Sequence, residues 1–397
     1  MLFKRKEFLQ IGSLATATMM LPKFLKAFEQ KNMVPVGNKV VVVIQFSGGN
    51  DGLNTVVPIS NDIYYRERPR LAITKDKALT LTTDVGLNPA LEAFKGLYDD
   101  GSLAILNNVG YPNPDRSHFR SMDIWHSASA SSDYVHTGWL GRYLDAQCKG
   151  CDKPTQALEI DDVLSLALKG NEKNGLAFTD PRRLYSSSNE KFYKDINAAH
   201  SSTEETVDYL YKTMSETLSS ADYIFQQSKL HPTNAVYPAT EMGKNLKTIS
   251  SLIMSDINTK VYYVSLGSFD THVNQEAQQK RLFTELNDAI KAFTTDLKKN
   301  NRFDDVLMMT FSEFGRRVSQ NASNGTDHGT ANNMFFISGG LKEKGILNDM
   351  PNLGDLNDGD LKHKVDFQNV YATVLHKWLG SDDKKILGKQ YEYLKFI

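Results

Sequence analysis

The residues able to bind a metal or move a proton fall into five short groups along this chain. They are Asp51; Ser117 with His118; Asp270 with His272; Glu313; and Asp327 with His328. Most of them lie just beyond an apolar run. Carboxylates and imidazoles together suit zinc, manganese or iron, and a carboxylate-rich set also admits magnesium or calcium. Two such ions about 3.5–4 Å apart clamp the attacking and leaving oxygens of a phosphoryl-type displacement. One or two divalent ions (Zn, Mn, Ca or Mg) are therefore the cofactors expected. Singly, each group has a plainer reading. Asp51 can close an Asx-turn with Asn50, Asp115 or Ser117 can simply cap a helix, and a lone histidine is more often structural than a ligand. Their repeated placement after buried strands carries the argument.

Those strands are easily located. Val40–Gln45 is short and almost wholly apolar, as in a strand buried on both faces of a parallel sheet. Gly48 and Gly49 then permit a sharp turn, and Asp51 lands past the strand's C-terminal end, where open α/β sheets bind ligands. Asn61–Arg70 reads as a polar loop. Asn88 and Pro89 read as the cap and first residue of a helix carrying Leu91, Phe94, Leu97 and Tyr98 on one face. Gly101 stops it, Leu103–Val109 is the next strand, and the order strand–helix–strand predicts a parallel sheet. Ser117 opens a helical pattern running from Phe119 through Trp125, where first-turn amides favour anions. Further strands are expected at 261–266, 305–311 and 334–338, with helices at 275–298 and 367–379. Residues 146–260 read as an insertion or helical cap over the sheet. Parallel strands share one C-terminal edge, so the five groups converge there.

Composition sets the bounds. The chain has 397 residues, 40% hydrophobic and 23% charged, with a net charge of −1. It is large enough for a sizeable core and lacks the basic field that nucleic acid or acidic membranes would select. Lys4-Arg5-Lys6 before the apolar stretch Ile11–Leu21 reads as an export signal over residues 1–30, similar to the twin-arginine type with Lys6 in place of the second arginine. The stretch is too short to span a bilayer. The expected location is thus periplasmic or extracellular, with no membrane span in the mature form. Cys148 and Cys151 read as a local staple or as free thiols.

Several motifs together resemble the exported bacterial domain-of-unknown-function 1501 family. These are Gly48-Gly49-Asn50-Asp51-Gly52, Tyr111-Pro112-Asn113-Pro114 with Arg116-Ser117-His118-Phe119, Gly138-Trp139-Leu140-Gly141-Arg142, Phe269-Asp270-Thr271-His272, Ser312-Glu313-Phe314-Gly315-Arg316 and Asp327-His328-Gly329. More distantly, their order is similar to the alkaline phosphatase superfamily, which includes sulfatases and phosphodiesterases. That resemblance implies an alkaline-phosphatase-like three-layer α/β sandwich, a single domain over residues 38–397 with a mostly parallel sheet between helices. It implies Ser117 as nucleophile beside His118, with Arg116 or Arg120 on substrate oxygens. It also implies Asp51, Asp270, His272, Asp327 and His328 as metal ligands, with Glu313 in the same set. The substrate class would be a small-molecule, glycan or lipid ester. Three departures stand out. The Asp270-x-His272 spacing is short, the late histidine ligand has only His363 and His376 as candidates, and Pro114-Asp115-Arg116-Ser117 lacks the formylglycine motif of sulfatases. The competing expectation is a non-catalytic exported protein that keeps the fold and binds a ligand or a co-exported protein partner. A metal-free serine hydrolase is a weaker option, because no Gly-x-Ser-x-Gly elbow surrounds Ser117.

Overall fold

Side chains of the first strand, β1 (Val40–Phe46), alternate between two separate cores. Val40, Val42 and Ile44 belong to one, Val41 and Val43 to the other. This is seen in a computed structural model that describes residues 39–147, 154–190, 205–233 and 235–397. The export signal and Cys148 and Cys151 lie outside the described residues. With apolar layers on both faces, β1 has no polar alternation, which explains its uninterrupted valine run.

Among the described residues the central sheet has nine strands. After β1 they are β2 (Leu103–Gly110), β3 (Ala157–Glu159), β4 (Leu176–Ala177), β5 (Val261–Leu266), β6 (Val306–Phe311), β7 (Asn332–Ile337), β8 (Gly345–Ile346) and β9 (Val365–Asp366). Their spatial order is β8-β2-β7-β6-β1-β5-β3-β4, with β9 also on β2. Of these strands β7 runs against the rest, antiparallel to both β2 and β6. β1 sits between β5 and β6, parallel to each. The loops leaving these three strands therefore meet at one edge.

Helices cover both faces. α2 (Glu92–Asp99), α7 (Glu241–Met254) and α8 (Gln275–Lys299) contribute Phe94, Leu246 and Phe283 to one core. α3 (His118–Ser127), α4 (Trp139–Gln147) and α9 (Phe367–Thr373) contribute Trp125, Trp139 and Tyr371 to the other. The three-layer, mostly parallel α/β architecture expected from the sequence is the one observed. Among the described residues, no helix is long and apolar enough to cross a membrane.

Four local expectations are revised. Asn61–Arg70 is not a loop: Asn61 accepts hydrogen bonds from the amides of Ile63 and Tyr64 and starts α1 (Asp62–Glu67). Helix α2 begins at Glu92, not next to Asn88, because the Asn88 side chain makes a turn with the Ala90 amide and donates to the Asn54 carbonyl. Within 146–260, β3 and β4 join the main sheet and α7 packs on it, so these parts belong to the sandwich and not to a cap above it. The last helix passes from α9 into a π-helical turn, Val374–Trp378.

Arg68, just after α1, is fully buried and bonds Asp51 Oδ2 at 2.5 Å, Asn54 Oδ1 at 2.8 Å and the Val318 carbonyl at 2.8 Å. Arg68→Ala would strand the buried Asp51 carboxylate without its counter-charge. We expect it to lower the unfolding free energy by about 3–5 kcal/mol. Urea denaturation measures this, and a loss under about 1 kcal/mol would contradict the pairing.

Candidate metal centre

Helix α3 delivers the first histidine. His118 lies in its first turn, and its Nδ1 meets Glu313 Oε1 at 2.9 Å. Glu313 follows β6 and is buried, and the same oxygen accepts the Gly48 amide at 2.8 Å. The loop after β5 supplies Asp270 and His272, and a loop after β6 supplies Asp327 and His328. Within the connection after β6, an antiparallel bridge joins Arg316 to His328. His272 Nδ1 lies 3.1 Å from Asp327 Oδ1, and His328 Nδ1 lies 2.8 Å from the Arg116 carbonyl oxygen.

These three contacts share one consequence. A carboxylate and a carbonyl only accept, so a neutral imidazole that donates to them from Nδ1 keeps its Nε2 lone pair free. The Nε2 atoms then face Asp270. Its Oδ1 is 3.1 Å from His272 Nε2 and 3.3 Å from His328 Nε2, and its Oδ2 is 3.6 Å from His118 Nε2. His272 Nε2 and His328 Nε2 are 2.9 Å apart. His118 Nε2 is buried without a hydrogen-bond partner. Donor atoms of His118, Asp270 and His328 all lie within 4.8 Å of one another. Converging lone pairs beside a carboxylate, each imidazole held from behind, are the arrangement of a metal site with its supporting shell. His118, Asp270 and His328 lie close enough together to share one ion, and His272 stands beside them, 3.1 Å from Asp270 and 2.9 Å from His328. The residues present fit a divalent ion.

Electrostatics agree. Burial opposes ionisation of Asp270, but the Arg316 guanidinium at 2.7 Å, with His328 and His272, holds its carboxyl below the usual range. His328 is pushed down by burial, against the opposing bond to the Arg116 carbonyl. His118 is pulled up by its hydrogen bond to Glu313 despite partial burial. A bond from Asn321, then one from His272, keeps Asp327 below its ordinary value.

Not every expected residue joins the cluster as foreseen. Asp270, His272 and His328 do, and His118, for which a catalytic role was expected, turns its Nε2 toward the same carboxylate. Glu313 and Asp327 stand behind the histidines as acceptors for Nδ1. The ligand role expected for Asp51 does not fit its surroundings. It is buried, Oδ1 accepts the Leu53 amide, and Oδ2 is held by Arg68 and Gln275, in keeping with the turn reading. Arg116 pairs with Asp360 and Asp358, while Arg120 donates to the carbonyls of Ser131 and Asp133, so both guanidinia are already committed. Ser117 is exposed at the N-cap of α3. Its amide donates to Asp115 Oδ1 at 2.7 Å, and its hydroxyl makes no cap bond. Neither late histidine enters the cluster: His363 packs against Gly110, and His376 stacks on Tyr393. Sequence reasoning gave no role to Arg316 or to Phe314, whose ring lies 4.9 Å from that of His118 and 4.7 Å from that of His328. The one signal was their place in the motif carrying Glu313.

An α/β sandwich with an imidazole–carboxylate cluster at the C-terminal edge of its parallel strands is thus the class defined. The chain belongs to the DUF1501 family, described as a protein of unknown function, whose model matches residues 103–392. No curated protein sequence matches it. Among solved structures it is similar to a sulfatase from Pseudoalteromonas sp. (10% identity, 99% of this chain and 75% of that chain covered, TM-score 0.42). It is also similar to a protein in the alkaline phosphatase superfamily from Vibrio parahaemolyticus (10% identity, 98% and 78% covered, TM-score 0.39). A third likeness is to the lipoteichoic acid synthase LtaP from Listeria monocytogenes (9% identity, 87% and 74% covered, TM-score 0.34). These superpositions are loose, and the description of the site rests on its own geometry.

Two measurements address that geometry. Glu313→Gln should weaken zinc or manganese binding by roughly 10–100-fold in a chelator-competition titration, whereas His328→Ala should remove it. In metal-free protein, imidazole NMR should show His118 titrating above 6.5 and moving down in Glu313→Gln. The stability contributed by that bond is complete below His118's ordinary value and is lost as pH rises through its raised value. Unchanged metal affinity and titration in Glu313→Gln would contradict the supporting role.

Proposed function

We propose that this chain is an exported, metal-dependent hydrolase of phosphate-type esters that uses Ser117 as its nucleophile. The observation that carries the reading is the set of three imidazoles, each held through Nδ1, presenting Nε2 to Asp270 one residue from an uncommitted serine hydroxyl. The residues that would hold the ion are His118, Asp270 and His328, with His272 beside them. When bound there, a divalent ion supplies Lewis-acid polarisation of a phosphoryl oxygen and lowers the pKa of a hydroxyl beside it.

The protein's own groups account for the rest. Arg316 keeps Asp270 ionised, so the cluster retains an anionic ligand at neutral pH. Glu313, Asp327 and the Arg116 carbonyl favour the tautomers that leave Nε2 free for ligation. Ser117 Oγ would displace the alcohol from phosphorus, and water would then release phosphate from Ser117. The first-turn amides of α3, a ten-residue helix, favour the phosphoryl anion next to Ser117. Serine in an ordinary sequence context favours phosphate over sulfate esters. Export rests on the basic and apolar pattern of residues 1–30.

Purified protein prepared without chelator and supplied with zinc or manganese should hydrolyse aryl phosphate mono- or diesters. Ser117→Ala should reduce kcat by about 1,000-fold or more while leaving metal content intact. Metal uptake with no ester turnover, or turnover indifferent to Ser117→Ala, would sink this mechanism. The first of those outcomes would favour a binding protein that retains the fold.

A further inference from the structure

Beside the histidine cluster lies a cleft of about 670 Å3, inside the roughly 300–1,000 Å3 range of small-molecule sites. Two of its wall residues belong to the cluster's surroundings. Phe314 packs on the rings of His118 and His328, and Arg116 gives its carbonyl to His328 while its guanidinium enters the cleft wall. The opposite wall is the short hairpin Leu356–Leu361 with Lys362 and His363, set directly against the end of β2. A Cβ on Gly110 would come within 2.9 Å of His363 Cβ, so the glycine keeps the two walls in register.

The chemistry of the wall selects among occupants. Its two permanent cations are both taken: Arg116 pairs with Asp360 and Asp358, and Lys362 with Asp355. A second phosphate would find no free permanent cation. A lipid chain would meet the polar side chains of Asn113, Thr330 and Asn357. What the wall does offer is donors and acceptors in mixture. Asp360 Oδ2 is taken by Arg116, while Asp360 Oδ1 and Trp125 Nε1 are buried without a hydrogen-bond partner. Hydroxyl groups donate and accept at once, so a polyol satisfies such a mixture where an anion or an alkyl chain does not.

Resting on the hydrolase reading above, we propose that this cleft is a subsite for a neutral sugar ring, making the substrate class a phosphorylated glycan or glycoside. The sugar would lie across Asn357 and Asn113, with hydroxyl groups exchanged with Asp360 and Arg116, and its ester directed past Phe314 to the histidines.

The test is binding, so it needs no turnover. Full-length protein is mixed with methyl glycosides of glucose, galactose and mannose, their disaccharides, and orthophosphate, and contacts are read by saturation-transfer NMR. At least one glycoside should bind with Kd below about 10 mM, and Asn357→Trp should weaken it by about tenfold or more. Asn357 is exposed on the hairpin, and an unchanged melting temperature would show that the variant folds. Asp360→Asn, close in shape, should also weaken binding. No glycoside bound, orthophosphate alone bound, or sugar binding indifferent to Asn357→Trp would each overturn the proposal. A protein that binds sugar yet hydrolyses no aryl phosphate would keep the subsite and remove the hydrolase reading. A protein that hydrolyses them but binds no sugar would do the reverse.

Discussion

One buried guanidinium holds the candidate site together. Arg316 is 1% exposed and donates to the carbonyls of Gly49 at 2.6 Å, Thr326 at 2.9 Å and Phe269 at 3.1 Å, to that of Gly48, and to Asp270 at 2.7 Å. Those acceptors come from the loop after β1, the loop after β5 and the segment preceding His328. A buried cation stripped of partners is strongly destabilising, so none of the three loops can withdraw without exposing that penalty. Close backbone approach follows from the same demand. Gly48 has φ of +118°, and a Cβ there would come within 2.4 Å of the Asp270 amide nitrogen; Gly49 has φ of +73°, and a Cβ would come within 2.2 Å of the Phe314 ring. Two glycines let β1's loop lie against the loops that carry Asp270 and Phe314.

A second buried polar tier lies alongside. Asp51 binds Arg68 and Gln275, and Gln275 Oε1 in turn accepts from Thr271 at 3.1 Å and Thr326 at 2.5 Å. Thr271 stands between Asp270 and His272, and Thr326 immediately precedes Asp327. The carboxylate that most resembled a ligand from its place after the first strand therefore acts on the site through the scaffold. Its charge is satisfied by Arg68, a residue in a segment whose polarity had marked it as surface loop. Buried arginine is rare enough that composition alone points the wrong way.

What the sequence made legible follows from the physics of each feature. Strands buried on both faces leave unbroken apolar runs, and β1, β2, β5, β6 and β7 were all found that way within a residue or two. Strands of two or three residues, such as β3 and β4, leave no such trace, so 146–260 read as something added to the sheet. The helix start at Asn88 was misplaced because a side-chain turn to Ala90 and a capping bond draw on the same residue types. At the site, position after a strand picked out Asp270, His272 and His328, which the structure brings together. It did not separate ligands from supports, because Glu313 and Asp327 differ from Asp270 only in which imidazole atom each one meets.

That last distinction decides how the cluster behaves. With Nδ1 of His118, His272 and His328 each facing an acceptor, moving a proton to Nε2 would leave that acceptor without its donor. Two of the Nε2 atoms stand 2.9 Å apart, a repulsive contact unless a cation lies between or beside them. Either a proton or a metal ion relieves it, so the two compete for the same electrons. Asp270 does not settle the contest by itself, because its charge is already shared with Arg316. Burial around His328 disfavours the charged imidazole and thus disfavours the proton. The bond between Glu313 and His118 works the other way and welcomes it. If a metal binds there, it competes with protons for these imidazoles and would be released in acid.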